Sequence, residues 1–212
     1  MDYNAETTAA EHSHSLVHRD DTASRMGMWL FLLTEVLLFG GLFLVYAVYR
    51  FEYTDQFRLA ALDLNTGIGA LNTAILLTSS LTMALAIAAL QRKNKFLSIL
   101  FMCSTLLLAL IFLVNKFFEW KEHIEHGLYP GAKELLSKKN GEILFYGLYY
   151  VMTGLHGLHV IVGMVFICFM LVFVIKDKVT YDNYAVLENA GLYWHLVDLI
   201  WIFLFPLFYL IQ

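Results

Sequence analysis

Residues 143–175 read ILFYGLYYVMTGLHGLHVIVGMVFICFMLVFVI, 33 consecutive positions without Asp, Glu, Lys or Arg. A helix rises about 1.5 Å per residue and a hydrocarbon core is about 30 Å thick, so about 20 apolar residues make one crossing. The run is too short for two crossings and a turn and long for one upright span, so it reads as one long, tilted transmembrane helix. A helix apolar on every side has no face to offer water.

The same pattern recurs on both sides of this segment. Apolar runs cover 26–49, 68–90, 96–118 and 186–211, and the charges cluster between them. The expected fold is therefore all-α, a polytopic bundle of five transmembrane helices over 26–212 behind a polar N-terminal tail, 1–25. With 59% hydrophobic and 15% charged residues the composition is that of a bilayer protein. A net charge of -4 and the lack of a long basic stretch exclude nucleic acid as a partner. Cys103 and Cys168 lie inside spans and read as packing residues. The tail has no early apolar core, so it is no secretory signal peptide and insertion falls to the first span. In the second span Ser80, Ala84 and Ala88 repeat at four-residue spacing and predict a helix contact. Lys116, near the end of the third, is placed to snorkel to the interface. Pro206 falls in the last turns of the fifth, where a kink is tolerated.

Five crossings put the termini on opposite sides. Lys and Arg are nearly balanced, but the short turn holding Arg92, Lys93 and Lys95 weighs most and predicts a cytoplasmic N-terminus. No internal repeat suggests an inverted-topology transporter.

Ionisable residues at membrane depth cost roughly 2.5 to 3.5 kcal/mol on insertion scales, so each requires a reason. Glu35 shares its helix face with Met28, Phe31, Leu32, Leu38, Phe39 and Leu42, and its own helix offers it no partner. It either packs as a neutral, hydrogen-bonded acid or handles protons. In the fourth span His156 and His159 stand three residues apart, and glycines at 154, 157 and 163 thin that helix. In the fifth, Glu188 and His195 nearly coincide in azimuth at about 100° per residue, with Asp198 within a quarter-turn. Such a stripe of acid and imidazole ties helices together, relays protons or meets lipid, or ligates metal or haem. Glu119, Glu122, His123 and His126, in the wet segment 119–141, line up at helical spacing as a carboxylate and imidazole face. The alternatives there are a metal face and a solvated helix end anchored by Trp120. His12, His14 and His18 belong to the tail, which reads as flexible.

Gly154-Leu-His-Gly-Leu-His-Val160, followed some thirty residues later by Tyr193-Trp-His-Leu-Val-Asp198 and Trp201, resembles the paired signature of subunit III of the haem-copper cytochrome c oxidases. Met28-Trp-Leu-Phe-Leu-Leu-Thr-Glu35-Val resembles that family's helix with a buried, carbodiimide-reactive glutamate. Leu71-Asn-Thr with Thr78-Ser-Ser80 resembles the next helix, and Glu119-Trp120 stands where the family has an acid and an aromatic at the membrane edge. The resemblance runs in order from Met26 to the C-terminus.

It implies a non-catalytic core subunit of a proton-pumping terminal oxidase in aerobic respiration, which supports proton uptake and the stability of subunit I. The implied partners are subunit I directly, then subunit II, other subunits and membrane lipid. No cofactor is implied in this chain; haem and copper belong to the partner subunits, and a bound phospholipid fits. His156, His159, Glu188, His195 and Asp198 would form a structural polar network. Mitochondrial members have seven spans, and the first two are missing here, as in five-span bacterial relatives, which points to a bacterial inner membrane. In seven-span members those two helices enclose a lipid-filled cleft. The lipid position carried over to Phe31 and Glu35 therefore faces either another subunit's helices or bulk lipid. Two neighbouring readings are a quinol oxidase subunit III and a nitric-oxide-reductase accessory protein. A more remote one is a self-contained redox enzyme with haem or metal on His156, His159 and His195.

Overall fold

The computed structural model describes residues 3–181 and 183–211, with side chains from residue 23 onward. His12, His14 and His18 therefore have side chains outside the described residues. The backbone of the polar tail from Tyr3 is continuous with the first helix, α1, Tyr3–Glu52. Residues up to Leu37 form one compact unit and Leu38–Gln212 the other.

After α1 come α2 (Thr54–Ala61), α3 (Thr66–Gln91), α4 (Lys95–Glu125), α5 (Lys133–Leu136), α6 (Asn140–Ile175) and α7 (Ala185–Tyr209). Among the described residues the fold is all-helical, and five of the helices are long and apolar enough to cross a membrane. The single long helix expected over 143–175 is α6, which starts three residues earlier at Asn140.

The short turns are specified locally. The Asn65 side chain accepts from the amide of Ile68 and starts α3, and that of Asn94 accepts from Leu97 and starts α4. Between α3 and α4, Lys93 takes φ 62°, which closes a three-residue turn and sets the two helices antiparallel side by side. At this end Lys95 donates to the Ile175 carbonyl at 2.9 Å and pairs with Asp177 at 2.6 Å, tying the start of α4 to the end of α6. At the other end the Gln56 side chain accepts from the Gly141 amide at 2.6 Å, and Phe57, fully buried, meets the Phe145 ring edge-on. Thus α2 closes onto the start of α6.

Contact between helices depends on small residues at particular points. A Cβ on Gly163 of α6 would fall 2.8 Å from the Trp194 ring, and one on Gly69 of α3 would fall 2.8 Å from Phe205 and Tyr209. The expected contact line of Ser80, Ala84 and Ala88 on α3 holds only in part: Ser80 and Ala88 are half-buried, with Ser80 against His195 of α7. The buried line is Asn72, Leu76, Ser79, Met83 and Ala86, while Ala84 is exposed. Polar side chains that bond across the bundle set that rotation, and the spacing of small residues does not.

Candidate functional site

The interior of α3, α4, α6 and α7 carries a ladder of polar side chains. Toward the end where α3 meets α4, the Ser80 hydroxyl lies 2.6 Å from His195 Nδ1, and Trp194 donates its indole N–H to Ser79 at 3.2 Å. Thr82 and Thr105 hydroxyls stand 2.7 Å apart. Further along, Trp201 donates to Thr73 at 3.1 Å, and Asn115 donates to Asn72 at 2.9 Å. In hydrocarbon each such bond satisfies a group that has no water to turn to.

The ladder ends in a buried ion pair. Lys116 Nζ donates to Glu119 Oε1 at 3.1 Å, to the Tyr149 hydroxyl at 3.0 Å and to that of Tyr209 at 2.9 Å. The Tyr149 hydroxyl donates to the same carboxylate oxygen at 2.5 Å, and so does that of Tyr209. The two charged side chains are only 9% and 4% exposed. The ammonium also lies over the rings of Tyr149 and Trp201, 4.9 and 5.4 Å from their centroids. The snorkelling expected of Lys116 does not occur. Its stem runs inward, because the polar face of α4 beyond the apolar run is covered by α6 and α7 and a carboxylate waits one turn away. Two turns of α4 that read as a wet segment are thereby helical and buried on one side, with Glu119 and His123 both shielded from solvent.

The residues singled out in the sequence are distributed as follows. His156 is fully buried, with its ring 5.7 Å from Phe112 and 5.2 Å from Trp201, and neither nitrogen has a hydrogen-bond partner among the described residues. His159 faces elsewhere. Its Nδ1 lies 2.7 Å from its own Leu155 carbonyl, and its ring meets Phe39 edge-on at 5.3 Å. The α7 stripe engages α3, with Gln91 donating to Glu188 at 3.4 Å and Ser80 meeting His195. Asp198 is buried beside Ser80, and neither carboxylate oxygen is in a well-formed hydrogen bond among the described residues. Phe31 and Glu35 lie four apart on one face of α1, ahead of Leu38.

His156, His159 and His195 point at different neighbours, so they do not form one ligand set. Glu119, Glu122, His123 and His126 share a helix face, yet Glu119 turns to Lys116 and the tyrosines, and His126 Nδ1 lies 2.7 Å from its own Glu122 carbonyl. Among the described residues no three His, Cys, Asp or Glu side chains gather to hold a metal ion.

The Lys116, Glu119, Tyr149 and Tyr209 cluster is what reading the sequence missed. Its signal was a Lys and a Glu one turn apart at the end of an apolar run, opposite tyrosines in two other spans.

Known proteins bear on this arrangement. The family model described as cytochrome c oxidase subunit III matches residues 2–212. The chain is 33% identical over 194 residues to the haem-copper oxidase subunit I+III of Aeropyrum pernix, a match covering 88% of this chain and 22% of that protein. It is 32% identical to a cytochrome c oxidase subunit 3 of Alkalihalophilus pseudofirmus, covering 87% of this chain and 85% of the relative. To a probable quinol oxidase subunit 3 of Staphylococcus saprophyticus it is 28% identical, covering 89% of each.

Proposed function

The chain belongs to the cytochrome c oxidase subunit III family, and from that premise we propose that it is the non-catalytic core subunit III of a proton-pumping haem-copper terminal oxidase in aerobic respiration. It packs directly against subunit I, with subunit II and other subunits in the same complex. A relative whose name joins subunits I and III in one chain supports that contact. Its place is a bacterial inner membrane, with the N-terminus cytoplasmic.

The observation that carries this reading is how the family signature is used. Side chains of the GLHGLH run in α6 and the YWHLVD run in α7 go to neighbouring helices, to Ser79, Ser80, Phe39 and Phe112, and not to a common centre. His156, His159, Glu188, His195 and Asp198 are read as a structural polar network, a reading supported by the contacts of His195 with Ser80 and of Glu188 with Gln91. Haem and copper belong to the partner subunits. Glu35 is a proton-related carboxyl on an apolar helix face, and Phe31 beside it meets phospholipid.

Gentle detergent extraction with an affinity tag on this chain tests the assignment. A large subunit bearing haem and copper should co-purify, and a single polypeptide holding a coloured cofactor of its own would refute it. Labelling the complex with a lipid-soluble carbodiimide should modify Glu35 and be lost in Glu35→Gln. The quinol oxidase reading stands beside the cytochrome c reading because relatives of both names match over similar lengths. Reduction of the purified complex by quinol or by cytochrome c separates the two.

A further inference from the structure

His195 is met by its own chain on one side of the ring. Its Nδ1 lies 2.6 Å from the Ser80 hydroxyl, across the seam between α3 and α7. The other ring nitrogen, Nε2, has no hydrogen bond among the described residues, and it is not one of the unpartnered atoms sealed inside the bundle. The residue is half-buried, so Nε2 opens at the outer surface. Whichever tautomer Ser80 selects at Nδ1, Nε2 is left as a donor or an acceptor in want of a partner.

Depth makes this costly. His195 is the eleventh of the 25 residues of α7, and Ser80 the fifteenth of the 26 of α3. Each therefore stands about 15 Å or more from both ends of its helix, which is the middle of a hydrocarbon core about 30 Å thick. Acyl chains offer no hydrogen-bonding group there, and water does not reach it. Surface hydroxyls avoid the problem by turning to their own helix. Thr78 donates to the Ala74 carbonyl at 2.8 Å and Ser104 to that of Leu100 at 2.9 Å. The far nitrogen of an imidazole cannot reach back in this way. Asp198, 3% exposed and beside Ser80, adds a carboxylate with neither oxygen in a well-formed hydrogen bond among the described residues. This cluster holds more polar atoms than the chain supplies partners for.

The surface next to it suits a helix. Ala84, one turn along α3 from Ser80, is exposed, and Ala88, a turn further, is half-buried. Small residues at that spacing let a second helix come within about 8–10 Å, axis to axis, close enough for side chains to bond across. A lipid tail would cover the alanines and leave Nε2 unmet.

We propose that this face of α3 and α7 is the docking surface for a transmembrane helix of the large oxidase subunit, and that a polar side chain on that helix hydrogen-bonds to His195 Nε2. The small-residue line of α3 is then a helix contact made with a helix from outside the chain, and Ser80, His195 and the partner's group form a relay of two bonds at mid-membrane. The partner's identity rests on the assignment as subunit III, whereas the need for a polar helix rests on His195.

Photo-crosslinking in intact membranes, followed by tag purification of the complex, tests this. Benzoylphenylalanine in place of Ala84 should form an adduct with the large, haem- and copper-bearing subunit. The same probe in place of Leu107, exposed on α4, should not. Retention of the large subunit should fall severalfold in His195→Leu and in Ala84→Trp, and stay near the parent level in Ser80→Ala, which removes the bond inside the chain. Blots of the membranes establish that each variant is inserted, and if Ala84→Trp is not, the adduct and His195→Leu carry the test. Adducts with lipid or with a second copy of this chain, equal yields from the two probe positions, full retention in His195→Leu, or an equal loss in Ser80→Ala would overturn the proposal. A parent preparation without the large subunit would refute the oxidase assignment and this partner together, whereas one that contains it but gives adducts elsewhere would refute the docking face alone.

Discussion

Three donors converge on one oxygen of Glu119, and one of them is an ammonium buried with it. Burying two charges gains stability only while both remain, since removing one partner leaves the other uncompensated. Lys116→Met should therefore lower stability by about 3–5 kcal/mol, read as a fall in the thermal midpoint of the full chain in detergent. Adding Glu119→Gln should recover most of the loss, because the amide oxygen still accepts from Tyr149 and Tyr209 and no lone charge remains. If the double variant is as unstable as the single one, the pair is not what holds this end of the bundle. Ser80→Ala is a smaller change. It removes one interhelical bond to His195, and such bonds in membrane proteins are worth roughly 0.6–1.7 kcal/mol. Reading the sequence picked out Glu35, the histidines and Asp198 because an ionisable group inside an apolar run is conspicuous at once. It misjudged Lys116 because a lysine at the end of such a run fits two geometries, and only the partner helices decide between stem outward and stem inward.

The spans were legible because apolar length is a one-dimensional property. Rotation about a helix axis is not, and this is where α3 departed in part from expectation. Its small residues marked Ser80, Ala84 and Ala88, yet the buried line follows Asn72 and Ser79, whose side chains bond to Asn115 and Trp194. The glycines of α6 divide the same way. All three thin the helix in sequence, but an added Cβ falls 2.8 Å from Trp194 at Gly163 and 3.1 Å from Trp120 at Gly154, while a Cβ on Gly157 meets nothing within 4 Å. Gly163→Val should therefore overpack the contact of α6 with α7 and cost about 1–3 kcal/mol. Gly157→Ala should be tolerated, or gain slightly from the better helix propensity of alanine. Equal effects on the melting midpoint would mean that the rings yield freely and that close approach at Gly163 is not required.

Over Leu38–Gln212, the loops fall into two sets that the structure holds together separately. The 92–94 turn and the 176–184 loop are joined by the Lys95 and Asp177 pair. The 53–65 and 126–139 segments are joined to each other by Lys138 with Asp63. Exposed pairs like these are worth about 0–1 kcal/mol and do not set the fold, but they identify which loops share a side of the membrane. The first set carries Arg92, Lys93, Lys95, Lys176 and Lys178. The second carries Arg58, Lys133, Lys138 and Lys139, with Arg50 and Lys121 at its edge. The totals nearly cancel, and the positive-inside preference then depends on the shortest, densest turn, Arg92 to Lys95. The proposed cytoplasmic N-terminus rests on that turn, which would lie on the same side. In intact cells lacking Cys103 and Cys168, a cysteine placed by Lys133→Cys should react with an impermeant maleimide. One placed by Lys93→Cys should react only after the membrane is opened. The reverse pattern would invert the whole bundle and put the 126–139 segment, next to the buried Lys116 and Glu119 pair, at the cytoplasmic face.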